Sequence, residues 1–146
     1  MKICVIDGQG GGIGNALIRK IKAAFQEQVE IIALGTNAIA TAQMMKAGAN
    51  KGASGENAIV VTASKVDVII GPISIVLANS MMGEMTPSMA TAVATSAAPK
   101  LLLPLTQEQV EVIGVSPEPL PHLVDHLVER RLRPMLQKMT VEGSYV

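Results

Sequence analysis

The chain alternates short apolar runs with longer segments in which apolar residues recur at helical spacing. The apolar runs predict buried strands at residues 3–6, 29–34 and 66–70. The longer segments predict amphipathic helices over residues 13–25 and 37–47, the second ended by Gly48 in a left-handed cap. Alternating strands and helices predict a doubly wound, mostly parallel sheet with helices on both faces.

The second half of the chain adds elements of both kinds. A short strand is predicted at residues 49–53, and Ser54 is suited to cap a brief helix after it. Thr86 followed by Pro87 is typical of a helix start, so the region up to residue 98 is predicted as one helix before Thr86 and one after it. Further strands are predicted at residues 101–105 and 110–115, which gives a sheet of about six strands.

An amphipathic helix over residues 120–138 is predicted to close the chain, and Pro134 is expected to kink or end it. Neither an internal repeat nor a second domain is evident, so residues 1–146 are expected to form a single domain. The composition is 49% hydrophobic and 16% charged, which excludes disorder over most of the length. Because so much apolar surface is difficult to cover in a small monomer, a homo-oligomer is expected.

The charge balance narrows the choice of partners. The formal net charge is zero and the pI is about 6.7, so the chain offers no basic field for nucleic acid. Apolar runs fall short of the roughly 18 residues of a membrane span, and glycines interrupt the first run before it resembles a signal peptide. Cys4 lies inside the first predicted strand, where it is expected to pack as a small apolar residue. A cytoplasmic protein without membrane or nucleic-acid partners is therefore expected.

A glycine-rich loop joins the first predicted strand to the first helix. After Asp7 the chain reads Gly8, Gln9, Gly10, Gly11, Gly12, Ile13 and Gly14. Glycine lets a ligand approach main-chain N–H groups without meeting a Cβ, and the first turn of the helix adds unpaired donors. The loop therefore predicts a binding site for a nucleotide phosphate or another anion, with a ligand-free tight turn as the alternative. The Asp7 carboxylate would repel a phosphate unless it is paired or binds a metal or a hydroxyl.

Two further loops are predicted at the same crevice. In a doubly wound sheet the first and fourth strands are neighbours, and ligands bind beyond their carboxyl ends. Gly71 and Pro72 follow the fourth strand, so we expect them opposite the glycine loop. Thr36 and Asn37 follow the second strand, where dinucleotide proteins carry an acidic residue about 20 positions past the loop. They are predicted to hydrogen-bond a ribose or a 2′-phosphate; alternatively, Thr36 only caps the next helix.

Polar residues elsewhere are candidates for chemistry. Glu56 or Glu84 could act as a general acid or base on a small phosphorylated or carboxylated substrate, and Asn50 is expected near the ligand. The alternatives are a solvated loop for residues 48–59 and core packing or a subunit contact for the Met-rich residues 79–86. His122 and His126 lie one helical turn apart without a third ligand nearby, so no metal site is predicted.

The spacing Gly8-x-x-x-Gly12-Ile13-Gly14 resembles the cofactor loop of the short-chain dehydrogenases/reductases over roughly the first 35 residues. This resemblance implies NAD(P) or another adenine nucleotide as the cofactor. It does not extend to the catalytic Tyr–Lys pair of that family, because the only tyrosine is Tyr145 and no lysine lies four residues after it. A dehydrogenase is therefore not inferred.

Nearly the whole chain resembles a small bacterial family of Rossmann-like proteins with no assigned function. The matching stretches are DGQGGGIG (7–14), GANKGASGENAI (48–59), GPI (71–73) and NSMMGEMTPSMA (79–90). The resemblance implies a Rossmann-like fold and carries no activity. Three functions stay open: a nucleotide-binding or sensing module without chemistry, an enzyme of unrecognised kind using Glu56 or Glu84, and a structural or regulatory subunit whose glycine loop is only a turn.

Overall fold

The computed structural model describes residues 1–143. Within them the strands are β1 (Lys2–Asp7), β2 (Glu30–Gly35), β3 (Lys51–Ser54), β4 (Val68–Pro72) and β5 (Lys100–Leu103). All pair in parallel in one sheet, in the spatial order β3-β2-β1-β4-β5. The predicted pairing of the first and fourth strands is confirmed. The strand order reverses between them, which is where ligands bind in doubly wound sheets.

Helices cover both faces of the sheet, as predicted. They are α1 (Gly12–Phe25), α2 (Ala38–Lys46), α3 (Glu56–Thr62), α4 (Pro87–Thr95), α5 (Leu120–His126) and α6 (Arg133–Gly143). α1, α2 and α5 pack on one face, while α3 and α4 pack on the other. The architecture is therefore a three-layer, Rossmann-like α/β fold.

The two cores follow from alternation along the strands. In β1, Ile3 and Val5 pack into one core with Phe25, whereas Cys4 and Ile6 belong to the other core. All four β1 side chains are fully buried. Because successive strand residues point to opposite faces, a strand covered on both sides is apolar at every position. This burial explains why the first strand is the continuous apolar run seen in the sequence.

The sheet has five strands among the described residues, and the predicted strand at residues 110–115 is wrong. This segment is exposed throughout, and Ile113 keeps 86% of its surface accessible. β-Branched residues favour extended backbone, but a strand also needs a partner edge. The chain leaves the sheet at Pro104, which cannot donate to a strand ladder. Gly114, with a φ of 91°, turns the backbone again.

The helix predicted before Thr86 is replaced by turns. A 3₁₀ turn at Ile73–Val76 follows β4, and residues 77–85 then form an irregular segment that we call the strap. Left-handed φ angles occur within it at Asn79, Met81, Met82 and Gly83. A helix cannot form through such angles. The helix start at Thr86 is confirmed: its hydroxyl accepts a hydrogen bond from the Met89 N–H, and Pro87 opens α4.

The last helical stretch passes through Pro134 rather than ending there. A π-type turn at Leu127–Leu132 joins α5 to α6, which continues to Gly143. A proline lacks an N–H and its ring crowds the carbonyl four residues earlier, here that of Arg130. The wider π-type turn immediately before Pro134 accommodates both effects.

Candidate functional site

A cavity of about 290 Å³ lies at the carboxyl ends of β1, β4 and β5. Its walls come from three loops that are far apart in sequence. They are lined by Asp7, Gly8, Gln9, Ile13, Pro72, Ser74, Met81, Leu105, Thr106, Gln107 and Glu108. The structure thus brings Pro72 to the glycine loop. Gly71, also in β4, does not line the cavity; it packs against β1, where a Cβ would meet the backbone carbonyl oxygen of Ile6.

The glycines of the loop fall into two groups. Gly8, Gly11 and Gly14 are required by packing: a Cβ on Gly8 would lie 2.5 Å from the Thr36 Oγ1, and one on Gly11 would lie 2.9 Å from the Ala40 backbone. A Cβ on Gly14 would lie 2.9 Å from the Met44 Cγ. Gly10 and Gly12 are exposed, have nothing within 4 Å of such a Cβ, and lack the left-handed φ of Gly11. The fold therefore explains the first group and leaves the second unexplained.

Asp7 occupies the inner side of the loop. Its buried carboxylate accepts hydrogen bonds from the Gly8 N–H at 2.8 Å and the Gly14 N–H at 2.7 Å. Burial raises the pKa of Asp7 and the nearby Glu84 charge adds to this, while backbone hydrogen bonds from Gly14, Gly8 and Ile13 oppose the rise. The protein's own carboxylate therefore takes donors at the start of α1 that were expected to face a phosphate.

Glu84, at the end of the strap, closes the other side of the loop. Its Oε1 accepts from the Gln9 N–H at 3.0 Å, the Thr36 hydroxyl at 2.5 Å and the Asn37 side-chain amide at 2.8 Å. Burial raises the pKa of Glu84, but the hydrogen bonds from Thr36, Gln9 and Asn37 outweigh it and hold the pKa below its ordinary value. Glu84 is therefore an ionised acceptor that joins the loops after β1 and β2.

Thr36 and Asn37 have different roles from one another. Asn37, not Thr36, caps α2, because its Oδ1 accepts from the Ala40 N–H at 2.8 Å. The Asn37 amide also donates to the Gln9 carbonyl oxygen at 3.0 Å. Thr36 directs its hydroxyl to Glu84 instead. Both residues lie at the crevice, where the sequence placed them, but their donors are used within the protein.

The strap stores conformational strain next to the site. An L-residue other than asparagine loses about 1–2 kcal/mol in the left-handed region, so Met81 and Met82 together cost about 2–4 kcal/mol. Contacts at several points offset this cost: the Ser80 hydroxyl donates to the Ser74 carbonyl oxygen at 2.6 Å, and the Met81 N–H donates to Glu108 at 3.0 Å. Such strain is found at ligand clamps and switch segments.

The other predicted polar candidates lie elsewhere. Asn50 precedes β3, so it lies at the amino end of the sheet beside Met1 and Asp67; its expected place near a ligand at the crevice is wrong. Glu56 is exposed at the start of α3 and accepts from the Thr86 hydroxyl at 2.5 Å. Ser54 does not cap α3, because Gly55 precedes the helix and the Ser54 hydroxyl lies 2.7 Å from that of Thr41.

Sequence reasoning missed the third wall of the cavity. No site role was predicted for Ser74 or residues 106–108, and Leu105 was expected only as the last residue of a strand at residues 101–105. The available signal was position: polar residues directly after a parallel strand lie at the carboxyl edge of the sheet. Glu108 was overlooked because the next residues resembled a further strand.

The last helices carry no identifiable site within the described part of the chain. Asp125 forms an ion pair with Lys20 at 2.8 Å, and His122 and His126 are exposed. Across residues 1–143, His, Cys, Asp and Glu side chains form no group of three or more that could hold a metal ion. Helices in this range are too short or too polar to cross a membrane. Tyr145 lies outside the described residues.

Comparisons with known proteins place the chain in a family. A crystal structure of a universal stress protein in complex with cAMP is similar to it, with 21% identity and a TM-score of 0.39; the match covers 68% of this chain and 94% of that one. Among curated proteins, none matches the sequence. The family model for a domain of unknown function, DUF3842, matches residues 2–136. The expected resemblance to an uncharacterised family is confirmed, and the chain belongs to the DUF3842 family.

Proposed function

We propose that the protein binds a nucleotide at the crevice, with a phosphate against the outer rim of the glycine loop. The observation that carries this proposal is that Gly10 and Gly12 are glycines without a packing or conformational reason to be so. A ligand that approaches the main chain closely supplies the missing reason, because any side chain at these positions would occupy its space.

The rim retains hydrogen-bonding capacity. Gly12 opens α1, and the first N–H groups of a helix have no acceptor within it. Asp7 already accepts from Gly8 and Gly14 on the inner side. We therefore assign the phosphate to the solvent side of the loop, at Gly10 and Gly12, because the backbone N–H groups of Gly8, Ile13 and Gly14 are directed at Asp7.

The size of the cavity favours a mononucleotide. Pockets for small ligands span about 300–1,000 Å³, and this cavity is about 290 Å³. Ile13, Pro72 and Leu105 provide apolar walls for a base, and the Ser74 and Thr106 hydroxyls can bond a sugar. A dinucleotide such as NAD(P) is larger than this cavity, so a mononucleotide is the preferred ligand class, with adenine as the base that the resemblance of the glycine loop implies.

A binding or sensing module fits this site better than an acid–base enzyme. A general base is most effective with a pKa near the working pH, whereas hydrogen bonds hold the pKa of Glu84 below its ordinary value. Glu56 contacts Thr86 rather than the glycine loop. The homo-oligomer and the cytoplasmic location stay predictions.

The test measures AMP binding to the wild-type protein and to the Gly10→Ala and Gly12→Ala variants by calorimetric titration. Each variant should fold with wild-type stability or better, since alanine is the stronger helix former and finds open space. AMP affinity should fall about tenfold or more, because an added Cβ blocks a close backbone approach. Gln28→Ala, exposed at the amino end of the sheet, is the control.

Two results would contradict the proposal. Unchanged AMP affinity in both glycine variants would show that the phosphate does not bind at the rim. No AMP binding by the wild-type protein at millimolar concentration, with no nucleotide retained after gentle purification as judged by mass spectrometry, would favour the structural alternative in which the loop is only a turn.

A further inference from the structure

Resting on the proposed function, we infer that the Gln9 N–H, the Thr36 hydroxyl and the Asn37 amide form a second oxyanion site, which Glu84 fills in the ligand-free protein. The strap is then a latch that a ligand with a second phosphate displaces. The ligand class is a nucleoside diphosphate, with one phosphate at the Gly10–Gly12 rim and the next at Gln9.

The geometry of the three donors supports an anion site. They come from two loops and converge on one oxygen, Oε1 of Glu84, at 2.5–3.0 Å. Convergence on one oxygen is what binds a phosphate or carboxylate oxygen strongly, since bonds to an ionised acceptor are short and strong. Glu84 reaches this position from the strap, across the loop, so it stands in for a ligand group.

The position of Gln9 explains the choice of a diphosphate. Gln9 and Gly10 are adjacent in the chain, and adjacent Cα atoms lie about 3.8 Å apart. Neighbouring phosphates of one ligand can therefore contact neighbouring residues of one loop. With Glu84 in place, the Gln9 N–H, the Thr36 hydroxyl and the Asn37 amide are all occupied, so the closed protein offers a ligand only the phosphate position at the rim.

The strap has the features of a segment that can be displaced. Met81 and Met82 hold left-handed backbone, and Met82 is 95% exposed at its tip. Glu84 is half-buried, and its charge lies close enough to Asp7 to affect that residue's titration. Release of Glu84 lets the strained residues Met81 and Met82 relax, which favours opening once a ligand phosphate takes over the three donors.

The first experiment compares AMP and ADP binding to wild type and Glu84→Gln by calorimetric titration. The neutral amide weakens the latch, because hydrogen bonds to a charged acceptor exceed those to a neutral one. If the latch is closed in about nine of ten molecules, unlatching tightens ADP binding about tenfold. AMP, which needs only the rim, should change little. Glu111→Gln, an exposed residue of equal charge, controls for the change in net charge.

A second variant separates the donor site from general electrostatics. In the Glu84→Gln background, adding Thr36→Val should abolish the gain for ADP over AMP, because it removes one of the three donors. If the ratio of ADP affinity to AMP affinity were the same in wild type and Glu84→Gln, the inference would be overturned, whereas AMP binding would still support the proposed function. A gain that survives Thr36→Val would overturn it too.

Hydrogen exchange on the wild-type protein gives a test without substitution. The Asn79 N–H donates to the Met85 carbonyl oxygen at 2.7 Å, and the Met85 N–H to the Ser80 carbonyl oxygen at 3.2 Å. ADP should accelerate exchange of these two amides, and unchanged or slower exchange would count against displacement. Should neither nucleotide bind, the proposed function fails, and inorganic pyrophosphate tests the latch by itself. It should shift the Thr36 and Asn37 amide resonances of Glu84→Gln at about tenfold lower concentration than those of wild type. No shift in either protein, or shifts at equal concentrations, would refute the latch.

Discussion

Substitution of Gly8 by alanine tests whether the strap is packed against the glycine loop. The added Cβ would lie 2.5 Å from the Thr36 Oγ1 and 3.2 Å from the Glu84 Oε1, and nearer still to the Met81 Sδ. A Cβ contact below 3.0 Å does not persist, so the strap or Thr36 must move. Either movement weakens the Thr36–Glu84 hydrogen bond.

The expected cost follows from two contributions. Overpacking in a well-packed region costs about 1–3 kcal/mol, and loss of a hydrogen bond to a charged group costs about 1.5–3 kcal/mol. The two costs do not add in full, because a movement that relieves the overlap is the same movement that breaks the hydrogen bond. We therefore expect the free energy of unfolding to fall by about 2–4 kcal/mol. An unfolding entropy of about 2.1 cal/mol/K per residue converts this into a fall in Tm of roughly 7–13 °C.

Urea denaturation and calorimetry would measure the loss. Gly10→Ala is the matched control, because it adds the same methyl group two residues away, in open space. Its stability should change by less than about 0.5 kcal/mol or increase slightly. Equal stability of the two variants would refute the reasoning, since it would mean that the strap does not rest on Gly8.

Three further predictions concern other groups. Burial raises the pKa of Cys4 to about 12, so a thiol reagent at pH 8 should label it only after unfolding; fast labelling of the native protein would contradict its place in the core. Burial likewise raises the pKa of Asp7 above its ordinary 3.8, so the folded state keeps this proton to higher pH than the unfolded state does. The contribution of Asp7 to the free energy of unfolding should then be fully present below pH 3.8 and lost as pH rises through the folded pKa. It is measured as the free energy of unfolding of wild type minus that of Asp7→Asn at each pH. An increase of this difference with pH would contradict the prediction. Finally, we expect sedimentation velocity to detect a dimer or larger assembly, because Ile39, Val61 and Ile113 expose apolar side chains; a single monomeric species would exclude it.

The sheet was predictable because its strands are marked by burial on both faces. Residues 3–6 lie in β1, and the predicted strand at residues 66–70 overlaps β4, which begins only at Val68; both are central strands. Residues 110–115 carry the same residue types without a partner strand, and local composition does not reveal that absence. The error shows that β propensity indicates which residues suit a sheet surface, but not whether a neighbouring strand is present.

The site was predictable where it follows from strand ends and unpredictable where a distant segment crosses it. The glycine loop and Thr36 directly follow β1 and β2, and Pro72 ends β4; the order of these strands could be inferred. Glu84 contacts the glycine loop and Thr36 from a strap whose Met-rich sequence was predicted to form a helix. Its left-handed backbone is accompanied by contacts to distant residues such as Glu108, which the local sequence does not reveal. Asn50 illustrates the opposite error: it was expected near the ligand, but it directly precedes β3 and lies at the amino end of the sheet, away from the cavity.

The carboxylate of Asp7 has a consequence for the energetics of ligand capture. An anion-binding loop that lacks an anion usually leaves its N–H groups to water and fluctuates among conformations. Here the Asp7 side chain supplies an acceptor inside the loop, so the backbone is held in a defined shape in the ligand-free protein. Association then forfeits little chain entropy, and preorganisation of this kind raises affinity without adding a contact.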